Sequence, residues 1–487
     1  MAGSSYGSRC WCADIAAALS RTRIARTQGC RWAPRPCRTQ RDHVGGFEEQ
    51  PLCYTQEGEA SQPRQFLLKA AWYMKILVVS DIHAFGKRPD DGSQPSYVQA
   101  GDSSEDAPTR RFEELVRNGS VPKPDAVVCP GDLSHQADRV GLDYAWEFLK
   151  RLGQLTELKL LVATAGNHDL DSRFKSGDFD PKGMLLDLRP SFPVVTDYFA
   201  EATEDVQLHL MFWARNFCLV SLKECRLVVL NSSAFHGAGR KDGFEEFEHG
   251  RISGYTLGRL RGALEGDMKA RDAKGLPRSA VNVLLCHHHL EKDGLVEDAD
   301  RSEMMGAHAL MQLMRSSEYG RWLVIHGHRH RARVYQPGGA TGPWVLSAAS
   351  FGATRDRDYD NQSPNQAHLI ELDFDVMSRL GLRPAGTVRT WTWRKGLGWS
   401  SDRAERGGLP PTTGFGFRGS IDHLAAQISG HVGDRVRRWD EVRAALPEAA
   451  FLPHDQVDEL RKVLLAEHGI QILIKEDGAP HELGKSI

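Results

Sequence analysis

Several common features are scarce or missing in this chain. No apolar run approaches the roughly 20 residues needed to cross a bilayer, so no transmembrane helix is expected. Charge of one sign is not in excess. The net charge is −2 over 487 residues, which leaves no basic field to hold duplex nucleic acid or an anionic membrane. Nor is there a disulfide framework. Cys10, Cys12, Cys30, Cys37 and Cys53 lie in the first 73 residues at spacings that suit no zinc site. Cys129, Cys218, Cys225 and Cys286 sit in or beside apolar runs, where a free cysteine acts as a small buried hydrophobe. This usage fits a reducing compartment, and the cytoplasm is the expected location. No long internal repeat is found.

What the chain does have is histidine and aspartate at the ends of apolar runs. Lys75–Ser80 leads into Asp81-Ile82-His83, and Asp125–Pro130 into Gly131-Asp132. Leu158–Ala165 leads into Gly166-Asn167-His168-Asp169, Val281–Cys286 into His287-His288-His289, and Arg321–Ile325 into His326-Gly327-His328-Arg329-His330. Each run reads as a buried strand. In α/β sheets, sites form beyond the carboxyl ends of strands. Five runs delivering carboxylate, imidazole and amide groups to such ends point to a metal site.

The candidate ligands are Asp81, His83, Asp132, Asn167, His287, His328 and His330. Oxygen and imidazole donors together suit borderline divalent ions, Mn²⁺, Fe²⁺, Zn²⁺ or Ni²⁺. Seven ligands exceed the needs of one tetrahedral ion, and two ions sharing Asp132 account for them better. Two-metal sites suit in-line attack at phosphorus by a water that the ions deprotonate near neutral pH. His287 directly follows its strand and is preferred to His288, with His289 a spectator or rim residue. His326 is expected to point away from the ions. Asp169 either orients His168 or hydrogen-bonds backbone.

In this order, these five motifs resemble the calcineurin-like metallophosphoesterase superfamily over roughly residues 74–380. The resemblance implies an α/β fold, a four-layer α-β-β-α sandwich of two mixed sheets. It implies that Asp81, His83, Asp132 and His330 hold one ion, with manganese favoured, and that Asp132, Asn167, His287 and His328 hold the other. His168 would stabilise the transition state and protonate the leaving oxygen, and Asp169 is grouped with it as catalytic. The implied activity is hydrolysis of a phosphomonoester or phosphodiester by attack of a metal-bridging hydroxide.

Residues 1–73 are rich in arginine and weakly periodic. They are expected to be a disordered or spurious leader, with Met74 the natural start and a transit peptide the alternative. Strand, helix, strand, helix, strand in the first half predicts right-handed crossovers and a largely parallel sheet. A helix is predicted over 138–155, with Val140, Tyr144, Phe148 and Leu152 on one face. Residues 74–398 form the expected phosphoesterase domain. The Gly, Pro, Ser and Arg-rich stretch 399–420 is expected to be a linker, and 421–487 a small helical module. Residues 439–474 resemble, faintly, the acidic N-terminal region of primary bacterial sigma factors, which implies a protein-interaction module. The competing function is therefore a regulatory or defence-type adaptor that senses a ligand and binds a protein partner through 421–487.

Overall fold

The computed structural model describes residues 73–90, 92–157, 160–171, 180–197, 202–237, 249–277, 281–292, 303–354, 363–374, 377–378 and 384–486. The expectations for residues 1–73 lie outside the described residues, except at Tyr73. Tyr73 opens β1 (Tyr73–Val78), which runs parallel to β2 (Ala126–Cys129), itself parallel to β3 (Leu161–Ala163). All the described side chains of β2 and β3 are buried, as the continuous apolar runs require of strands covered on both faces. The rest of this sheet is antiparallel. β4 (Val194–Val195) pairs with β3 at one edge. On the other side β11 (Gln366–Asp373) pairs with β1, β12 (Gly386–Arg394) with β11, and both β13 (Gly398–Ser400) and β14 (Thr412–Phe415) with β12. The sheet is thus mixed, because the chain returns to its outer edge by hairpins rather than crossovers.

The second sheet has the order β5 (Phe217–Ser221), β6 (Cys225–Leu230), β7 (Val281–Leu285), β8 (Arg321–His326), β10 (Trp344–Ser347), β9 (Arg333–Tyr335). Its centre is parallel and its two edges antiparallel. The period of two sorts its side chains between two cores. Leu227, Val229, Val283, Leu285, Leu323 and Ile325 join the core that contains the first sheet. Val228, Leu230, Leu284 and Val324 join a separate core with Leu260, Leu264 and Met268 of α5 (Gly254–Ala273) and Leu310, Met311 and Met314 of α6 (Ala307–Arg315). On the far face of the first sheet lie α1 (Pro108–Arg117) and α2 (Arg139–Leu155). The result is helix, sheet, sheet, helix. Met304, Met311 and Met314 are buried in this core, whereas Met305 is half-exposed.

The buried stripe of α2 differs from the predicted one. Leu142, Ala145, Trp146, Phe148, Leu149 and Leu152 are buried, whereas Val140 in the first turn is 59 % exposed. Asp138 caps this helix, accepting from the Gly141 N–H at 2.7 Å. Its other oxygen accepts from the Gly86 N–H at 3.1 Å and ties the loop after β1 to the helix. α3 (Gly183–Leu186) and α4 (Thr203–Arg215) carry the chain to the second sheet. No helix among the described residues is long and apolar enough to cross a membrane.

The stretch 399–420 is not only a linker. Trp399 lies in β13, packed on Phe112 and Phe351, and Thr412–Phe415 forms β14. Composition misled here because Gly and Pro are also what tight edge hairpins need. Beyond it come α7 (Ile421–Val432), α8 (Trp439–Ala445) and α9 (His454–His468). A small sheet accompanies them, β15 (Arg437–Arg438), β17 (Pro480–Lys485), β16 (Ile470–Ile474), in that order. The Gly414 N–H donates to Leu452 O, and Leu424, Val442, Leu460 and Leu464 belong to the same core as the first sheet. The described residues, from Tyr73 onward, belong to one compact unit.

Candidate metal centre

The five motifs meet. β1, β2 and β3 of one sheet and β7 and β8 of the other all end at the same rim, and the loops that follow are stitched by backbone hydrogen bonds. The Asp81 N–H donates to Gly131 O at 3.1 Å, His83 N–H to Asp132 O at 3.0 Å, and Gly327 N–H to His287 O at 3.2 Å. Turning this sharply requires unusual backbone. Asp81, His83, Asp132, His328 and His330 all have φ between 49° and 82°. Left-handed backbone at non-glycine residues costs of order 1–3 kcal/mol each and concentrates at functional sites. Two glycines make room: a Cβ on Gly166 would overlap Asp132 Oδ1, and one on Gly327 would overlap Asp81 Oδ2.

Donor atoms converge without protons enough to satisfy them. His83 Nε2 lies 3.0 Å from His330 Nε2. His330 Nε2 is 3.5 Å from Asp81 Oδ1, and His83 Nε2 is 3.5 Å from Asp132 Oδ2. On the other side, Asn167 Oδ1 is 3.0 Å from His287 Nε2 and 3.1 Å from His328 Nδ1. His287 Nε2 is also 3.4 Å from Asp132 Oδ2. All seven predicted ligands are therefore in one cluster, and Asp132 Oδ2 stands between its halves. Asp81, His83 and His330 form one group able to hold an ion; His287 and His328, with His288 beside them, form another. Such crowding of acceptors fits a pair of cations.

The surroundings orient these groups. His287 Nδ1 donates to Pro130 O at 2.9 Å, which turns Nε2 toward Asn167 and Asp132. Asp132 Oδ1 accepts from the His168 N–H at 2.8 Å, and Asp81 Oδ1 from the His328 N–H at 2.9 Å. Burial opposes the charged form of His287, but Asp132 outweighs it and lifts the pKa to about 9. Burial likewise opposes the Asp132 carboxylate, yet the neighbouring His287 and His168 hold it well below the usual range. Burial pushes His83 and His328 well below the ordinary histidine value.

His168 is half-buried beside the cluster, its ring centroid 4.7 Å from that of His83. Its Nδ1 accepts from the Gln136 N–H at 3.3 Å. Asp169 does not orient it. The Asp169 carboxylate accepts from the Ser134 N–H and the Gly166 N–H, each at 2.9 Å, and so clips together the loops after β2 and β3. Of the two readings of Asp169, orienting His168 or bonding backbone, the observed hydrogen bonds are those to backbone. Burial, then the charge of Asp132, raises its pKa to about 7. His288 hydrogen-bonds Ser232 Oγ through Nδ1 at 2.8 Å, and that same oxygen accepts from the His287 N–H at 3.2 Å. His326 points its Nδ1 to Gly327 O and stacks near His289, 4.3 Å between centroids, away from the ligands.

A cavity of about 510 Å³ opens above the cluster. Ser93 and Gln94 of the loop after β1 help wall it, as do His135, Arg329 and Arg331. His135 went unread in the sequence. It stands 5.3 Å from His168 and 5.9 Å from His83 between centroids, and forms a third group with them able to hold an ion. Its position three residues past Asp132 was the available signal. His249 O, at the start of the described stretch 249–254, accepts from His236 Nε2 at 2.7 Å.

The model of one family, described as calcineurin-like phosphoesterase, matches residues 74–341. The chain belongs to that family. It is thereby a phosphoester hydrolase, and the family implies a dinuclear divalent metal site where this phosphoesterase gathers its His/Asp cluster. Among curated proteins none matches the chain. Solved structures do. A dimetal phosphatase from Danio rerio is 11 % identical, with a TM-score of 0.39 over 61 % of this chain and 95 % of that one. A putative 5'-nucleotidase from Staphylococcus aureus is 14 % identical, with a TM-score of 0.33 over 62 % and 51 %. The protein TT1561 of Thermus thermophilus is 13 % identical, with a TM-score of 0.32 over 66 % and 99 %.

Proposed function

We propose that this chain hydrolyses a phosphomonoester or phosphodiester at two divalent ions, manganese first among the candidates. The observation that carries the reading is Asp132 Oδ2, set 3.5 Å from His83 Nε2 and 3.4 Å from His287 Nε2. One oxygen between two donor sets is the requirement for a bridging ligand. Asp81, His83, Asp132 and His330 would hold one ion; Asp132, Asn167, His287 and His328 would hold the other. When bound, the ions supply Lewis acidity, drawing charge from the phosphoryl oxygens and acidifying the attacking water.

The protein's own groups do the rest. His168 holds a proton for the leaving oxygen. Because Nδ1 accepts from the Gln136 N–H, the neutral ring carries its hydrogen on Nε2. That proton is available for the ester oxygen as it departs. Pro130 O fixes the tautomer of His287, and the two N–H donors on Asp169 hold the Asp132 and Asn167 loops at one separation. The cavity wall, with Arg329 and Arg331, receives the anionic substrate.

The test is turnover of p-nitrophenyl phosphate and bis(p-nitrophenyl) phosphate by chelator-treated protein, with and without Mn²⁺, alongside metal analysis. Activity should require the metal and vanish in Asp132→Ala. Full activity in metal-free protein or in Asp132→Ala overturns the reading.

A further inference from the structure

Five strand ends supply the metal ligands, and a sixth ends beside them. β6 runs out at Leu230 into Asn231, Ser232 and Ser233, all three buried. This turn supplies none of the seven candidate ligands. Its hydroxyl groups reach instead to the loops that carry two of them. Ser232 Oγ accepts from the His287 N–H at 3.2 Å and from the His288 N–H at 3.3 Å. Ser233 Oγ donates to Ala165 O at 3.1 Å, just before Gly166 and Asn167. One contact fixes a loop of the second sheet and the other a loop of the first, so a single turn spans both.

The hydrogens decide what Ser232 and His288 do. A hydroxyl has two lone pairs and one hydrogen. Two backbone N–H groups fill the lone pairs of Ser232, so its hydrogen goes to His288 Nδ1, 2.8 Å away. With Nδ1 accepting, the His288 ring carries its own hydrogen on Nε2. Neither nitrogen is then open to a cation, although His288 stands in one group with His287 and His328. His287 aims its Nε2 at Asn167 and Asp132. His288 thus anchors the loop, and His287 is the ligand. The first ion's ligands have a different anchor: Ser350 Oγ donates to Asp81 O at 2.6 Å.

We propose that Ser232, with His288 behind it, is the positioning residue of the second ion. It holds the backbone that aims His287 Nε2, and so sets the affinity of the site formed by Asp132, Asn167, His287 and His328 without setting that of the other site. The inference rests on the two-ion reading above and adds which residues govern the second ion.

The test is Mn²⁺ binding by isothermal titration of the full-length protein in two backgrounds that separate the sites. His330→Ala removes a ligand of the first ion and keeps the second site whole; His328→Ala does the reverse. In the His330→Ala background, adding Ser232→Ala should raise the Kd of the remaining ion by about 10–100-fold, the usual cost of losing a group that orients a metal ligand. In the His328→Ala background the same change should move Kd much less. His288→Leu, which removes the acceptor of the Ser232 hydrogen, should also weaken the second ion. His288→Asn, whose Oδ1 can accept in place of Nδ1, should recover most of that loss. Equal weakening in both backgrounds, no weakening in the His330→Ala background, or a His288→Asn variant no better than His288→Leu overturns the inference. If Ser232→Ala does not fold, the two His288 variants decide alone. Wild-type protein that binds fewer than two Mn²⁺ removes the two-ion reading itself, and this inference with it.

Discussion

His83 Nε2 and His330 Nε2 stand 3.0 Å apart, brought together across 247 positions of chain. Each also faces a carboxylate oxygen at 3.5 Å, Asp132 for the first and Asp81 for the second. A single proton shared between the two rings leaves both carboxylates unmet; a divalent cation would answer both rings and both acids. Metal should therefore stabilise the fold. At about 100 times its Kd an ion contributes about 2.7 kcal/mol. Adding Mn²⁺ to chelator-treated protein should raise Tm, and His330→Ala should lose a large part of that rise together with one bound ion. A Tm indifferent to Mn²⁺ would count against the cluster as a metal site.

His168 should matter in proportion to the basicity of the leaving group. His168→Gln is expected to lower kcat on an alkyl phosphoester by about 10²–10⁴-fold. The loss on a p-nitrophenyl ester should be much smaller, since p-nitrophenolate departs without a proton. Metal content should stay at the wild-type level. Equal losses on the two esters would show that His168 does not deliver the proton.

Gly166 is needed for space rather than for flexibility. A Cβ there would overlap Asp132 Oδ1 and Asp132 N, neither of which can retreat without unmaking the site. Gly166→Ala should abolish tight metal binding and lower activity by more than about 100-fold. Isothermal titration with Mn²⁺ reads the first effect directly; wild-type affinity in the variant would contradict the packing argument.

Asp169 should affect stability more than chemistry. In Asp169→Asn one carboxylate oxygen becomes an NH₂ group facing a backbone N–H, at Ser134 or at Gly166. The loss is expected to be about 1–3 kcal/mol in urea unfolding. The effect of pH on kcat should be unchanged in the Mn²⁺-loaded variant. A shifted pH profile at unchanged stability would restore a catalytic role.

Buried histidines should make the protein acid-labile. Burial lowers the pKa of His368 to about 3 and those of His326 and His236 to about 4. The unfolded chain takes up these protons near pH 6.5, before the native state can. The stability from these groups is thus fully present above about pH 6.5 and is lost as pH falls toward about 4. His368 lies between the Ala349 N–H at 3.4 Å and Thr390 Oγ1 at 3.0 Å, away from the ligands. His368→Asn should flatten the pH dependence of unfolding free energy between pH 4 and 6.5. An identical slope in the variant would place the acid sensitivity elsewhere.

The strands, the ligands and their order were legible in the sequence because they are local. Apolar runs of strand length ending in Asp81, Asp132, Asn167, His287 and His328 announce themselves by composition and position. Long-range pairing is not local. That β11 adds antiparallel to β1 and that β14 adds to β12 makes the first sheet mixed, as the family resemblance implied and the strand–helix order alone did not, and takes residues 412–415 out of a supposed linker. Which partner a given polar group finds was equally out of reach. Asp169 follows His168 in the chain, yet its oxygens go to Ser134 and Gly166, and His135 joins the site only because the loop after β2 turns back under left-handed backbone. Sequence by itself determined which residue types arrive at the sheet rim. Only tertiary structure decided which atoms face one another there, because angstrom-scale separations are set by sheet packing and loop strain that no residue carries alone.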